Sequence, residues 1–252
     1  RDRLYSSMGE IKMSYSPEPR KAYLTISLIA IFFMCIMASC TTANATQAAK
    51  LAAISKAVSY SISDTAANIA ANIGGLNEAE DITATDSCTF AQAKVIEDAT
   101  NSGSITYNIS DTATNIAAGI GSDNAVISSA GTITATTNAT VAELETIGGD
   151  NKAITFSVED TASNLAGATA ARILKAVNVT ATTDATVAQA EFIEARTNSG
   201  TNTYSITDSA TNLAASSNTV LAKASSVSAN TNATQAQANT IGGFAKAVNY
   251  NI

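Results

Sequence analysis

The sequence predicts an α/β solenoid, built from strand–helix units of about 24 residues that share one parallel β-sheet. Three observations predict it: an internal repeat, an apolar pattern whose period changes within each repeat, and a composition rich in small residues. A coil of about 48 residues with two strands and two helices per turn is the alternative geometry. The shorter coil is preferred because both halves of the longer period run from strand to helix in the same order.

The repeat settles the architecture. A segment running from Tyr60 through Asp64 and Asn68 to Ala70 recurs from Tyr107, Phe156 and Tyr204, at steps of roughly 48 residues. A second segment, from Ile82 to Gln92, lies between these copies and recurs from Ile133, Val179 and Val227. Both consist of a short alternating run, a Ser/Asp/Asn/Thr cluster and an Ala-rich amphipathic run. Val58 and Val248 hold the same place in the pattern, about eight units apart.

Within each unit the order is strand, turn, helix, return loop. Ile105, Tyr107 and Ile109 alternate with Thr106, Asn108 and Ser110, a period of two that marks a half-buried strand. Asp64, Asp111, Asp160 and Asp208 then stand where a helix N-cap is expected. A carboxylate there accepts a bond from a free backbone N–H and meets the positive end of the helix dipole. In the second type of unit Asn138 or Asp184 takes that place. Ala113, Ile116 and Ala117 share one helical face, and Val141, Leu144 and Ile147 form another apolar stripe. Asn101-Ser-Gly103, Gly148-Gly149, Asn198-Ser-Gly200 and Gly242-Gly243 mark return loops.

The amino-terminal region has a different pattern. Residues 1–12 read as upstream or mis-called sequence, and 13–40 as a signal peptide with a basic start at Arg20 and Lys21 and an apolar run from Leu24 to Met37. An uncleaved membrane anchor is the alternative, although the run falls short of the ~20 residues that span a bilayer. Two cleavage sites compete. Ala43-Asn44-Ala45 is a small-x-small site that would cut at 45/46. Met37-Ala38-Ser39-Cys40 resembles a bacterial lipobox, cut at 39/40 with lipid on Cys40. Asn44 aligns with Asn232 as the cap of the first helix, which favours the lipoprotein because cutting after Ala45 would remove that cap. Residues 41–252 form the expected solenoid. The chain stops within a strand, so a C-terminal truncation is expected.

Composition narrows the chemistry. There is no His, so Ser-His-Asp and Cys-His arrangements cannot be built. No phosphate-binding glycine motif is present, and Cys88 alone in the body provides no zinc ligand set. Cys88 aligns with Ala139, Ala185 and Ala233 and reads as a small buried residue. The repeated Asp residues raise calcium as a ligand, but capping explains each of them without a metal. Residues 46–252 carry nine basic against eighteen acidic side chains, without basic clusters, which argues against nucleic acid. The expectation is therefore a chain that is not an enzyme and holds no cofactor or catalytic residue.

Two polar rows remain. Asn68, Asn115, Asn164 and Asn212 fall four residues after the repeated Asp. They suggest either a ladder bonding loop backbones between coils or a solvated row. Thr83, Thr85, Thr134, Thr136, Thr180 and Thr182 occupy outward strand positions, where only Glu159 adds a charge. An ordinary solvated sheet would mix in Lys and Glu, so an uncharged hydroxyl face is a candidate binding surface.

The strand–helix plan resembles that of leucine-rich repeats, without the leucine consensus. The Asp-Thr-Ala-x-Asn-Ile/Leu-Ala core resembles repeats of large bacterial surface and adhesin-like proteins. That resemblance implies an exported, non-catalytic structural or adhesive array at the cell surface. The implied partners are extracellular polysaccharide, a surface or a neighbouring subunit, with membrane contact only through the signal peptide or lipid. The threonine rows are also similar to the ice-binding face of some antifreeze solenoids. A stalk for a further enzyme or anchor domain is the remaining alternative.

Overall fold

A computed structural model describes residues 42–53, 59–196 and 198–252. The signal-peptide segment and Cys40 lie outside the described residues. Ala43–Ile252 forms one compact unit. It is an α/β structure in which parallel strands alternate with helices.

Strands β1 (Thr42–Ala43), β2 (Ser61–Asp64), β3 (Ile82–Cys88), β4 (Ile105–Asp111), β5 (Ile133–Ala135) and β6 (Ile154–Thr155) follow one another in a six-stranded sheet. β7 (Val158–Asp160), β8 (Val179–Ala181) and β9 (Asn202–Thr203) form a second sheet. β10 (Ile206–Asp208) and β11 (Val227–Ala229) form a third. Isolated parallel bridges Ala139–Val158 and Ala185–Ile206 join the chain across the sheet breaks. Within each sheet, every strand pairs with the next along the chain. Ile62 lies opposite Ile82, Ile82 opposite Ile105, Ile109 opposite Ile133, Ile133 opposite Ile154, Val158 opposite Val179 and Ile206 opposite Val227. Matching apolar residues in register keeps one face of the sheet buried, since a slip of one residue would turn every side chain over.

Helices follow the strands. Those after first-type strands are α2 (Ala66–Ala71), α4 (Ala113–Ser122), α7 (Ala162–Gly167) and α10 (Ala210–Ala215). Those of the second type are α1 (Ala45–Ala52), α3 (Phe90–Glu97), α6 (Val141–Ile147), α9 (Val187–Glu194) and α12 (Gln235–Ile241). The second-type helices begin with a capping box. Asn44/Gln47, Thr89/Gln92, Thr140/Glu143, Thr186/Gln189 and Thr234/Gln237 exchange side-chain bonds with each other's backbone N–H.

The helix caps depart from the sequence reading. Asp64, Asp111, Asp160 and Asp208 are the last residues of their strands, and the caps are Thr65, Thr112, Thr161 and Ser209. An N-cap side chain must reach the amide three residues on. The hydroxyls do so, at 3.3 Å from Thr65 to Asn68 and 3.1 Å from Thr112 to Asn115. In the second type the caps are Thr140 and Thr186, two residues beyond Asn138 and Asp184. Asn44 does cap α1, but its structural counterpart in α12 is Thr234, not Asn232.

The core is one cluster running through all the units. Tyr60, Tyr107, Phe156 and Tyr204 are buried in it beside Ile62, Ile109, Val158 and Ile206. The return segments of the first-type units are not plain loops. They hold a 3-10 turn (Ile73–Gly75) and the short helices α5 (Asn124–Ser129), α8 (Ala170–Ile173) and α11 (Asn218–Lys223). These bury Leu76, Val126, Ile127, Ile173, Val220 and Leu221. Their carbonyls also receive the buried tyrosine hydroxyls. Tyr60 donates to Gly75 at 2.8 Å, Tyr107 to Val126 at 2.8 Å and Tyr204 to Val220 at 2.9 Å. The hydroxyl is thereby satisfied inside an apolar core. Gly103 and Gly200 mark close approaches between units. A Cβ there would stand 2.4 Å from Glu80 O or 2.5 Å from Val177 O, so no other residue fits without backbone movement.

Candidate functional site

Two polar systems run along the units: a ladder at the helix N-termini and the hydroxyl-rich strand face. The ladder starts from a geometric problem. A Thr or Asn cap satisfies the amide at the third helical position, leaving the amide at the first position free. Here the following unit supplies the acceptor. Ala45 N–H donates to Asp64 Oδ2 at 3.0 Å, Phe90 to Asp111 at 2.8 Å, Val141 to Asp160 at 2.9 Å and Val187 to Asp208 at 2.9 Å. In the other helices Ala66 donates to Asp86 Oδ1 at 2.6 Å. Ala113 donates to Thr137 Oγ1 at 3.0 Å, Ala162 to Thr183 at 3.1 Å and Ala210 to Thr231 at 3.0 Å. The four Asp residues are thus not caps of their own helices. Each holds the helix of the preceding unit, while its other oxygen accepts from its own unit.

That second oxygen explains the asparagine row. Asn68, Asn115, Asn164 and Asn212 each donate from Nδ2 to Oδ1 of the Asp four residues earlier, at 2.8 Å. They are exposed and act within a unit, so they do not bond loop backbones between coils. Such bonding exists elsewhere. Asn108 Oδ1 accepts from Thr132 N at 2.8 Å and from its Oγ1 at 2.9 Å. Asn178 Oδ1 accepts from Thr201 N at 3.0 Å and from its Oγ1 at 3.1 Å. Asp81 does the same for Ser104. In sequence Asn108 looks like an interruption of the threonine pattern. The available signal is a polar side chain within or just before one strand and a Ser or Thr just before the next.

Charge follows from these bonds. The Asn68 amide holds the Asp64 carboxyl below its usual range against a smaller opposing effect of burial, with help from the Thr65 and Ala45 amides. At Asp111, Asp160 and Asp208 burial pushes upward most strongly. The amides of Phe90, Val141 or Val187, with those of the cap and the Asn, outweigh it together and hold the carboxyls low. Cys88 is fully buried, and burial followed by the nearby Asp86 charge raises its thiol to about 11. It is therefore a packed thiol and a poor nucleophile at neutral pH. Among the described residues no group of three or more His, Cys, Asp or Glu could hold a metal ion.

The strand face is partly as the sequence suggests. Thr83 lies between Ser63 and Thr106, Thr134 between Ser110 and Thr155, and Thr180 between Glu159 and Thr203. Thr85 is exposed within β3. Thr136 and Thr182, however, lie past the ends of β5 and β8 in bends. The chain turns there so that the next residue, Thr137 or Thr183, can reach the helix amide of the preceding unit. The threonines therefore form single rows on the strands, not a paired lattice. Glu159 is also not the sole carboxylate, since Asp184 accepts from Thr207 Oγ1 at 2.7 Å.

Comparison with protein-family models, with curated proteins and with solved structures finds no match.

Proposed function

We propose that the body is a solenoid of short strand–helix units, one unit per coil, serving as a non-catalytic structural or adhesive array at a bacterial cell surface. In-order pairing of each strand with the next within each of the three sheets, with isolated parallel bridges across the breaks, supports the solenoid. Ile62 pairs with Ile82 and Ile109 with Ile133, so one unit carries the chain from each strand to its neighbour. That favours the shorter coil over one holding two strands and two helices. Export, with lipid on Cys40 or cleavage after Ala45, is the proposal that the sequence pattern of residues 13–45 supports. Intact-mass measurement on the mature protein tests it: a lipid-sized increment on a chain starting at Cys40 is expected, and an unmodified start at Thr46 rules the lipid out.

One observation carries the adhesive part of the reading. Parallel strands hold the hydroxyls of Thr83, Thr134 and Thr180 in rows with their neighbours, at strand spacings of about 4.8 Å. Such rows present repeated donors and acceptors to an extended polysaccharide, an ordered surface such as ice, or a neighbouring subunit. The double substitution Thr134→Lys with Thr180→Lys tests it. Both residues point away from the core, so stability should change by no more than about 0.5 kcal/mol each. Retention on insoluble polysaccharide, thermal hysteresis and self-association are compared with the parent. Loss of at least one activity is expected. A parent with none of them, or a double variant that keeps them all, removes the face as the binding surface.

A further inference from the structure

The inter-unit ladder alternates in chemistry. Where a second-type helix meets the next first-type strand, the acceptor is a carboxylate: Asp64, Asp111, Asp160 or Asp208. Where a first-type helix meets the next second-type strand, it is a neutral hydroxyl at Thr137, Thr183 and Thr231. Asp86 replaces that hydroxyl in the first such junction. We propose that the ladder makes a pair of units, running from one Tyr60-type strand to the next, the cooperative block of the body, and that acid releases the blocks from one another at the four Asp junctions while the Thr junctions inside them hold.

The geometry supplies the asymmetry. Each of the four carboxylates joins three partners from two units: the first amide of the preceding helix, the amide of the cap after it, and the Asn side chain. All three are donors, so the site favours the ionised acid. A proton on either oxygen removes the charge that strengthens these bonds and so weakens the junction. The bonds that hold these carboxyls low come from backbone and asparagine amides. Titratable groups also stand nearby: Glu159 lies beside Asp160, Asp184 accepts from Thr207 Oγ1 beside Asp208, and Asp86 and Glu143 lie on adjoining elements. Asp86 accepts from Ala66, and Glu143 is held in its capping box and by Thr114 Oγ1 at 2.6 Å. None of them replaces an Asp at its junction. The carboxyls sit below the unfolded value, so they stabilise the fold above about pH 4, and that contribution is lost as pH falls through the folded value. A Thr hydroxyl does not titrate, so its junctions lose nothing directly.

Amide hydrogen exchange on the full chain, corrected for the intrinsic effect of pH, tests this. Between neutrality and about pH 2, well below the ordinary Asp value of ~3.9, Phe90, Val141 and Val187 should lose protection. Relative to Ala113, Ala162 and Ala210, the loss should be roughly tenfold to a hundredfold, as expected for a charge-assisted bond. Asp111→Asn keeps the shape but turns one oxygen into a donor. At neutral pH it should raise exchange at Phe90 by about tenfold or more and abolish the acid response there, while Val141 and Val187 respond as before. Equal acceleration of both amide sets in acid, or unchanged exchange at Phe90 in Asp111→Asn, would overturn the proposal.

Discussion

Ile116→Ala is expected to destabilise the body by about 3 to 4 kcal/mol in urea unfolding followed by circular dichroism. Ile116 is fully buried in α4, whose start is fixed twice, by the Thr112 cap and by Thr137 of the next unit. A helix pinned in this way cannot slide into the space that the lost side chain leaves. The cost should therefore sit in the upper part of the usual range for removing a buried isoleucine. Ile73 provides the control. It is 62% exposed, and Ile73→Ala should change stability by no more than about 0.5 kcal/mol. A loss below about 1 kcal/mol for Ile116→Ala would mean that the interior relaxes freely and that the ladder does not fix the helices.

Much of this was legible in sequence because the repeat multiplies each weak signal. One alternating run such as Ile105–Asp111 is ambiguous alone, but four copies at a near-constant step leave little room for another reading. Burial of Ile62, Tyr107 and Ile116 followed directly from period. Position within one residue did not. Asp and Thr stand side by side in Asp64-Thr65 and Asp111-Thr112, and either type makes a good cap. What decides is the third partner, a helix amide in the preceding unit, which draws the Asp out of the cap position. No local pattern encodes that partner.

Other misses have separate causes. The capping boxes Thr140/Glu143 and Thr186/Gln189 were readable from spacing. They were obscured because Asn138 and Asp184 offer equally plausible caps two residues earlier. The helices α5, α8 and α11 are too short to repeat the helical period, and α8 has only four residues. Their trace in the sequence is a pair of neighbouring apolar residues, Val126-Ile127 or Val220-Leu221, that a loop would not bury. The displacement of Thr136 and Thr182 from the strand face has the same origin as the Asp error. The bend serves a bond to another unit, so it is invisible to alternation within one strand.

Raising the pH should unfold the body in a step governed by Cys88, Tyr107 and Tyr204. All three are buried. Burial pushes the Cys88 thiol to about 11, with Asp86 adding to it. Burial also raises the Tyr107 and Tyr204 hydroxyls well above their ordinary value, with the Glu97 and Glu194 carboxylates pushing the same way. In the unfolded chain these groups ionise near ~8.5 for Cys and ~10 for Tyr. Above those values the unfolded chain has lost protons that the folded chain keeps, so stability falls as pH rises. The contribution is intact below about pH 8 and is progressively lost from there upward through the folded values. Tyrosinate absorbance and circular dichroism, followed together, should change in the same step for the buried rings. Tyr107→Phe separates the causes. Phe156 already occupies the equivalent place in the third first-type unit, so the ring without its hydroxyl fits. At neutral pH the variant leaves the buried Val126 carbonyl without the 2.8 Å bond from Tyr107 and should lose about 1 kcal/mol. At high pH it has one fewer group to ionise, so its stability should fall less steeply and its curve should cross that of the parent. Tyrosinate appearing before the circular dichroism changes, or parallel curves for Tyr107→Phe and parent, would show that ionisation of these rings is not coupled to unfolding.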